Sequence, residues 1–286
     1  MLKIYILSLM VLTGLTSQAQ MKIAIPEIGV VQELENDSLL VECGFRYLVE
    51  STPKILSPRN VSDQDFQDQL QTIKNLQTPL YACNLFIPGD LKAVGPNVDE
   101  KAVLDFVEIV LRRAQAAGLT LITWGSGGSR RVPEGFSRIK AKQQFIELAR
   151  KVAEIAERYN IILALENLNS TECNFINTLK EALAIVKSVD HKNFRLCVDI
   201  YHMLKEEESP EAIAGTKGYA VYCELAEQEG RTPPGVKGDD FIPYILALKK
   251  EGYQGKIVIE CRWKDLSTQG KMAFQTIRRQ VESAYQ

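Results

Sequence analysis

The run Leu163-Ala164-Leu165-Glu166-Asn167-Leu168-Asn169 ends an apolar stretch abruptly in an acid. A carboxylate placed where a buried strand meets its loop must be paired, protonated or bound to a metal, because burying a lone charge is too costly. Three later apolar runs end the same way: Cys197-Val198-Asp199-Ile200-Tyr201-His202, Val221-Tyr222-Cys223-Glu224-Leu225-Ala226-Glu227 and Ile257-Val258-Ile259-Glu260. Four strand-end acids directed at one place describe a site for a hard cation.

Outward from these runs, strand and helix signals alternate eight times. Short apolar runs bounded by polar or glycine-containing loops predict strands at 22–28, 44–49, 79–85, 119–124, 160–165, 194–198, 219–224 and 255–260. Amphipathic periodicity predicts helices at 62–76, 99–117, 140–159, 178–188, 239–251 and 267–284, with Gly118 and Gly252 where C-terminal caps are expected. Strands apolar on both faces and separated by helices point to a parallel sheet covered by helices. An open doubly wound sheet would want a glycine-rich fingerprint after the first strand, and Ile25-Pro26-Glu27-Ile28-Gly29 does not supply one. The expected fold is a single-domain (β/α)8 TIM barrel over residues 20–286, with Glu166, Asp199, Glu224 and Glu260 closing strands five to eight. Barrel enzymes place their chemistry at those strand ends.

The first nineteen residues read as a signal peptide outside that domain. Lys3 gives a weakly positive start, Ile4 to Leu15 is almost wholly apolar, and Ser17-Gln18-Ala19 offers small residues before a cut. The stretch falls short of the roughly 20 residues that span a bilayer, so stable membrane insertion after its removal is not expected. An exported, periplasmic protein follows; a start at Met21 would instead give a cytoplasmic one. The 36 acids and 34 bases of the 286 residues give a formal charge of -2, which lacks the electrostatic footprint of a nucleic-acid binder. Cys43, Cys83, Cys173, Cys197, Cys223 and Cys261 show no zinc-binding spacing and read as core residues.

The glycine-rich stretch Trp124-Gly125-Ser126-Gly127-Gly128-Ser129-Arg130-Arg131 follows the fourth strand. Its glycines let backbone N–H groups approach a ligand, and Arg130 or Arg131 is placed to grip hydroxyls, a carboxylate or a phosphate. Trp124 and Phe86 are candidate apolar walls for such a ligand.

In combination, Ala164-Leu165-Glu166-Asn167, Val198-Asp199-Ile200-Tyr201-His202, Arg231-Thr232-Pro233-Pro234-Gly235 followed by Gly238-Asp239-Asp240-Phe241, and Gly252-Tyr253-Gln254-Gly255 leading to Glu260 resemble the xylose isomerase-like barrels. The branch they resemble holds sugar isomerases, ketose 3-epimerases and hydroxypyruvate isomerases, and the likeness runs from about Lys22 to the C-terminus. The resemblance implies one divalent metal held by Glu, Asp, His and Glu at the ends of strands five to eight. Glu166, Asp199 and Glu260 match the three acids, whereas Glu224 stands where the histidine is expected. One extra residue before Arg231 blurs the register and leaves Tyr222 and Glu227 as other occupants. An all-carboxylate set favours Mg²⁺ or Mn²⁺, with Co²⁺ and Zn²⁺ as softer alternatives, or it marks a lost metal.

The implied chemistry is proton transfer beside a carbonyl through an enediolate, with Glu166 and Glu260 as base and acid. Asp199 is then a ligand, His202 and Arg231 contact substrate oxygens, and no organic cofactor is expected. A small-molecule carbohydrate is the expected partner, and homo-oligomers are allowed. Two alternatives stand beside this reading: a lyase or dehydratase using the same enediolate on a keto-sugar or glycoside, and a non-catalytic carbohydrate-binding barrel. Apurinic-site endonucleases share the barrel, but their zinc chemistry needs several histidines and this chain has two.

Overall fold

Eight parallel strands close on themselves in chain order, the eighth pairing with the first. The computed structural model describes residues 24–286. The expected signal peptide and the Met21 start lie outside the described residues. The strands are β1 Ile28–Val31, β2 Tyr47–Ser51, β3 Leu80–Asn84, β4 Leu121–Trp124, β5 Ile162–Glu166, β6 Phe194–Asp199, β7 Ala220–Leu225 and β8 Lys256–Ile259. The helices are α1 Asp37–Cys43, α2 Thr52–Ile55, α3 Asp63–Lys74, α4 Glu100–Ala116, α5 Gly127–Arg130, α6 Arg138–Arg158, α7 Leu179–Val189, α8 Ile200–Lys205, α9 Ile242–Lys250 and α10 Leu266–Tyr285. None of them is long and apolar enough to cross a membrane.

Seven expected strands are found within a few residues of their predicted positions, and β1 is displaced from 22–28 to Ile28–Val31. Pro26 explains the displacement, since a proline inside that run has no N–H for the ladder, and the pairing starts only beyond it. The six predicted helices all form. The helix expected at 239–251 begins later, at Ile242, because Asp240 Oδ1 accepts from the Ile242 N–H and Pro243 sits in the first turn. Gly118 ends α4 as predicted: its φ is +77°, its N–H donates to Gln115 O, and Leu119 N–H donates to Ala114 O.

Two apolar layers hold the barrel. The outer one lies between strands and helices, and the inner one fills the barrel with Val49, Ala82, Leu121, Ala164, Cys197, Tyr222 and Val258. Side chains two apart on a strand share a face, so the residues after this inner layer toward the C-terminal mouth are Asn84, Glu166, Asp199, Glu224 and Glu260. The period of two turns four acids inward in one tier.

Candidate active site

The four acids meet. One carboxylate oxygen from each of Glu166, Asp199, Glu224 and Glu260 lies within 4.8 Å of all the others. Glu166, Asp199 and Glu224 are almost wholly enclosed, and Glu260 is about one-fifth exposed. Asp199 Oδ2 and Glu224 Oε1 are buried without any hydrogen-bond partner. Burial, compounded by the neighbouring acids, pushes the pKa of Glu224 well above the carboxylate range. Asp199 is raised by burial against the pull of His202 and Arg231, and Glu260 is raised by burial to about 7 although Arg231 opposes it. Orphaned carboxylate oxygens crowded together are what a bound divalent cation satisfies, and the residues present fit such an ion. Glu224 brings its carboxylate into this group, and Glu227 does not. Glu224 Oε2 also accepts from the Cys197 thiol at 3.5 Å.

A second donor group, Glu166, Asp199 and His202, is equally close-set. Asp199 caps α8 by accepting from His202 N–H at 2.9 Å, which brings the imidazole back beside the acids. His202 Nε2 is 3.2 Å from Glu166 Oε1 and 3.6 Å from Asp199 Oδ2. On the other edge Nδ1 faces the Asn169 backbone N–H at 3.1 Å and its side-chain nitrogen at 2.8 Å. The Asn169 amide is fixed in that sense because its oxygen accepts from Thr171 N–H and Glu172 N–H. Nδ1 is therefore an acceptor and the ring proton sits on Nε2, which makes His202 a donor rather than a metal ligand. Burial works against the imidazolium while Asp199 and Glu166 outweigh it and raise the pKa to about 9. The two donors on Nδ1 oppose a second proton, and a cation held among the acids would weaken their pull on the ring.

Arg231 completes the ring of charge. Its Nη2 pairs with Glu260 Oε2, its Nε donates to Glu260 O at 3.2 Å, and its Nη1 lies 3.4 Å from Glu172 Oε1. The guanidinium also stacks 4.6 Å over the Tyr201 ring. Burial works against the charge, but Glu260, Asp199 and Glu166 prevail and raise its pKa further. Asn84 donates to Glu260 Oε1 at 2.7 Å, so both oxygens of that acid are held.

These groups border a cavity of about 350 Å³ at the C-terminal mouth, with Glu166, His202, Arg231 and Glu260 on its wall. The glycine-rich stretch also lines the cavity through Gly125, Ser126, Gly127 and Gly128. Gly125 is required by close approach: a Cβ there would lie 2.1 Å from Glu166 Oε2.

Two predicted substrate contacts are corrected. Trp124 is fully buried in the outer layer, with its ring edge-on to Phe86 at 5.5 Å and 5.1 Å from Phe145, so neither Trp124 nor Phe86 walls the cavity. Arg130 is fully buried too, donating to Trp124 O at 3.3 Å and Glu166 O at 2.7 Å. It ties together the ends of β4 and β5 behind the site. Arg131 donates to Glu172 O at 2.6 Å. Sequence reasoning missed Asn84 and Glu172, whose neutral or isolated character gave no signal, and it weighed the loop acid Glu227 only as an occupant of the ligand position. All six cysteines are free, and five are buried.

A sequence profile of the family described as "Xylose isomerase-like TIM barrel" matches residues 38–281. D-psicose 3-epimerase of Ruminiclostridium cellulolyticum is 34% identical over 122 residues, covering 41% of this chain and 40% of that protein. A putative hydroxypyruvate isomerase of Homo sapiens is 28% identical over 170 residues, covering 56% of this chain and 60% of that protein. The chain thus matches about two fifths to three fifths of the length of these curated relatives. The apo structure of 3-keto-D-glucoside 4-epimerase from E. coli aligns with a TM-score of 0.74 at 21% identity, over 89% of this chain and 99% of that one. At that identity the likeness carries the fold.

Proposed function

The chain belongs to the xylose isomerase-like TIM barrel family, and from that premise we propose that it is a metal-dependent sugar isomerase or epimerase working by proton transfer through an enediolate. The observation that carries the reading is the convergence of Glu166, Asp199, Glu224 and Glu260, with one oxygen each of Asp199 and Glu224 orphaned, beside a cavity that Glu166 and Glu260 line. Their oxygens would hold one divalent ion, and a carboxylate-only donor set favours Mg²⁺ or Mn²⁺. When bound, such an ion supplies positive charge against the charge that develops on the substrate's carbonyl and hydroxyl oxygens.

The chain's own groups do the proton work. Glu166, which forms no ion pair with Arg or Lys among the described residues, takes the proton from the carbon beside the carbonyl. Glu260, whose two oxygens are held by Asn84 and Arg231, is the second acid of the pair and returns the proton. A proton returned to the opposite face of that carbon gives the epimer, and one returned to the neighbouring carbon gives the isomer. His202 Nε2–H and Arg231 bind substrate oxygens, and the glycine wall 125–128 leaves room for a sugar beside them.

Turnover of ketoses in D₂O tests the reading. Product should carry deuterium at the carbon that changes, and Glu166→Gln or Glu260→Gln should each lower kcat by about 10²–10⁴-fold or more. Conversion without solvent deuterium, or near-normal turnover in both variants, would remove these acids from the reaction.

A further inference from the structure

The loop between β7 and α9 carries Arg231, and it is folded around an acid that the proposed chemistry does not use. Glu227 is fully buried. Its Oε1 accepts from the backbone N–H groups of Gly235 at 2.8 Å and Gly238 at 2.9 Å. Its Oε2 accepts from Lys237 N–H at 2.6 Å and from the Thr232 hydroxyl at 2.8 Å. Its own N–H donates to Thr232 O at 3.0 Å. No lysine or arginine forms an ion pair with Glu227 among the described residues, so the loop's hydrogen bonds alone meet the charge. A carboxylate satisfied in this way is a strong local organiser, because each of its donors is charge-assisted.

Arg231 lies inside the span that Glu227 closes. Its φ is +53°, a left-handed backbone that an arginine keeps only where its surroundings hold it. Gly230 before it is also left-handed, at +73°, and Arg231 O accepts from Arg262 N–H at 2.7 Å. The side chain then meets Glu260, Glu172 and the Tyr201 ring together.

We propose that Glu227 is a positioning residue for Arg231: its four accepted hydrogen bonds fix the loop so that the guanidinium stands against Glu260 at the cavity wall. The assignment of a role in turnover rests on the isomerase or epimerase reading, whereas the geometry of the clamp does not. Gln at 227 keeps the shape but turns an NH₂ toward donors. At least one backbone N–H, which cannot reverse its role as a hydroxyl can, then loses its acceptor.

The test compares Glu227→Gln, Arg231→Ala and the double variant in the full Mn²⁺-supplemented protein. Glu227→Gln should lower kcat/KM on a ketose that the wild type converts by about 10–100-fold, the range seen when a partner behind a site group is lost. Because the effect runs through Arg231, the double variant should be no worse than Arg231→Ala alone. Multiplied losses, or wild-type kcat/KM in Glu227→Gln, would overturn the proposal. Thr232→Val, which removes one donor and leaves the charge, serves if the Gln variant does not fold; it should give a smaller loss that likewise vanishes on the Arg231→Ala background. A second readout needs no turnover. The ¹⁵N-detected Arg231 Nε–H resonance, assigned by its loss in Arg231→Ala, should be sharp in wild type and shifted or broadened in Glu227→Gln. An unchanged resonance overturns the clamp even if every sugar tried is inert, an outcome that would instead count against the function proposed above.

Discussion

Glu224 stands where the family resemblance implies a histidine, and its orphaned Oε1 at the centre of the carboxylate group gives the departure a physical meaning. An imidazole at that position is a softer donor and removes one negative charge. Glu224→His is therefore expected to raise affinity for Zn²⁺ relative to Mn²⁺ by about tenfold or more, read by competition calorimetry. No relative gain would mean that the residue at 224 does not reach the ion. Arg130 gives the opposite kind of test. With its guanidinium spent on the carbonyls of Trp124 and Glu166, Arg130→Met should cost about 2–4 kcal/mol from two unsatisfied carbonyls. That is about 4–16 °C in Tm for a protein of this size. A normal melting curve with weakened sugar affinity would restore Arg130 to the substrate. The four acids were legible because a charge ending an apolar run needs an explanation whichever way the strand faces. Trp124 was not legible for the same reason in reverse: β4 is apolar on both faces, so nothing in Leu121-Ile122-Thr123-Trp124 tells which alternate residues turn inward.

Long helices were read correctly and the shortest ones were missed. The helices α4, α6, α7 and α10 run for eleven residues or more, enough to repeat an apolar stripe. By contrast α2, α5 and α8 have four to six residues, too few to show a period. Two of these short turns matter most to the site, since α8 returns His202 to Asp199 and α5 carries Gly127 and Gly128 of the glycine wall. They are held by caps and close contacts rather than by a face, which is why composition alone did not reveal them. Gly125, between β4 and α5, allows a direct test of that close contact. In Gly125→Ala the new Cβ would stand 2.1 Å from Glu166 Oε2, so the carboxylate must swing away from its three partners. Mn²⁺ affinity, measured by electron paramagnetic resonance, is expected to fall by about 10–100-fold while the far-ultraviolet circular dichroism stays that of the wild type. Unchanged affinity would show that Glu166 can leave the group without loosening the ion.

For the whole molecule, the barrel's alternation places acids that repel one another in a single tier, and this ties stability to pH and to metal. Without a cation, burial raises Glu224 well above, and Glu260 to about 7 from, an ordinary value of 4.5; burial raises Asp199 from 3.8. Groups whose folded pKa exceeds the unfolded one hold more protons when folded. Their contribution to stability is therefore present below the unfolded value and lost as pH rises through the folded value. The metal-free barrel should lose stability on this account from about pH 4.5 upward through 7. A divalent ion acts in the other direction, because it takes only deprotonated carboxylates and so binds more tightly as pH rises. Each tenfold gain in affinity adds about 1.4 kcal/mol when the ion is in excess, or about 3–6 °C in Tm. The increase in Tm on adding Mn²⁺ should accordingly be several degrees larger at pH 8 than at pH 5.5 in a fluorescence melt, and Glu224→Gln, which has no proton to release, should narrow that difference. A metal-induced shift that is the same at both pH values would mean that the four acids release no protons on binding, so that they are already ionised in the metal-free protein or are not the ligands.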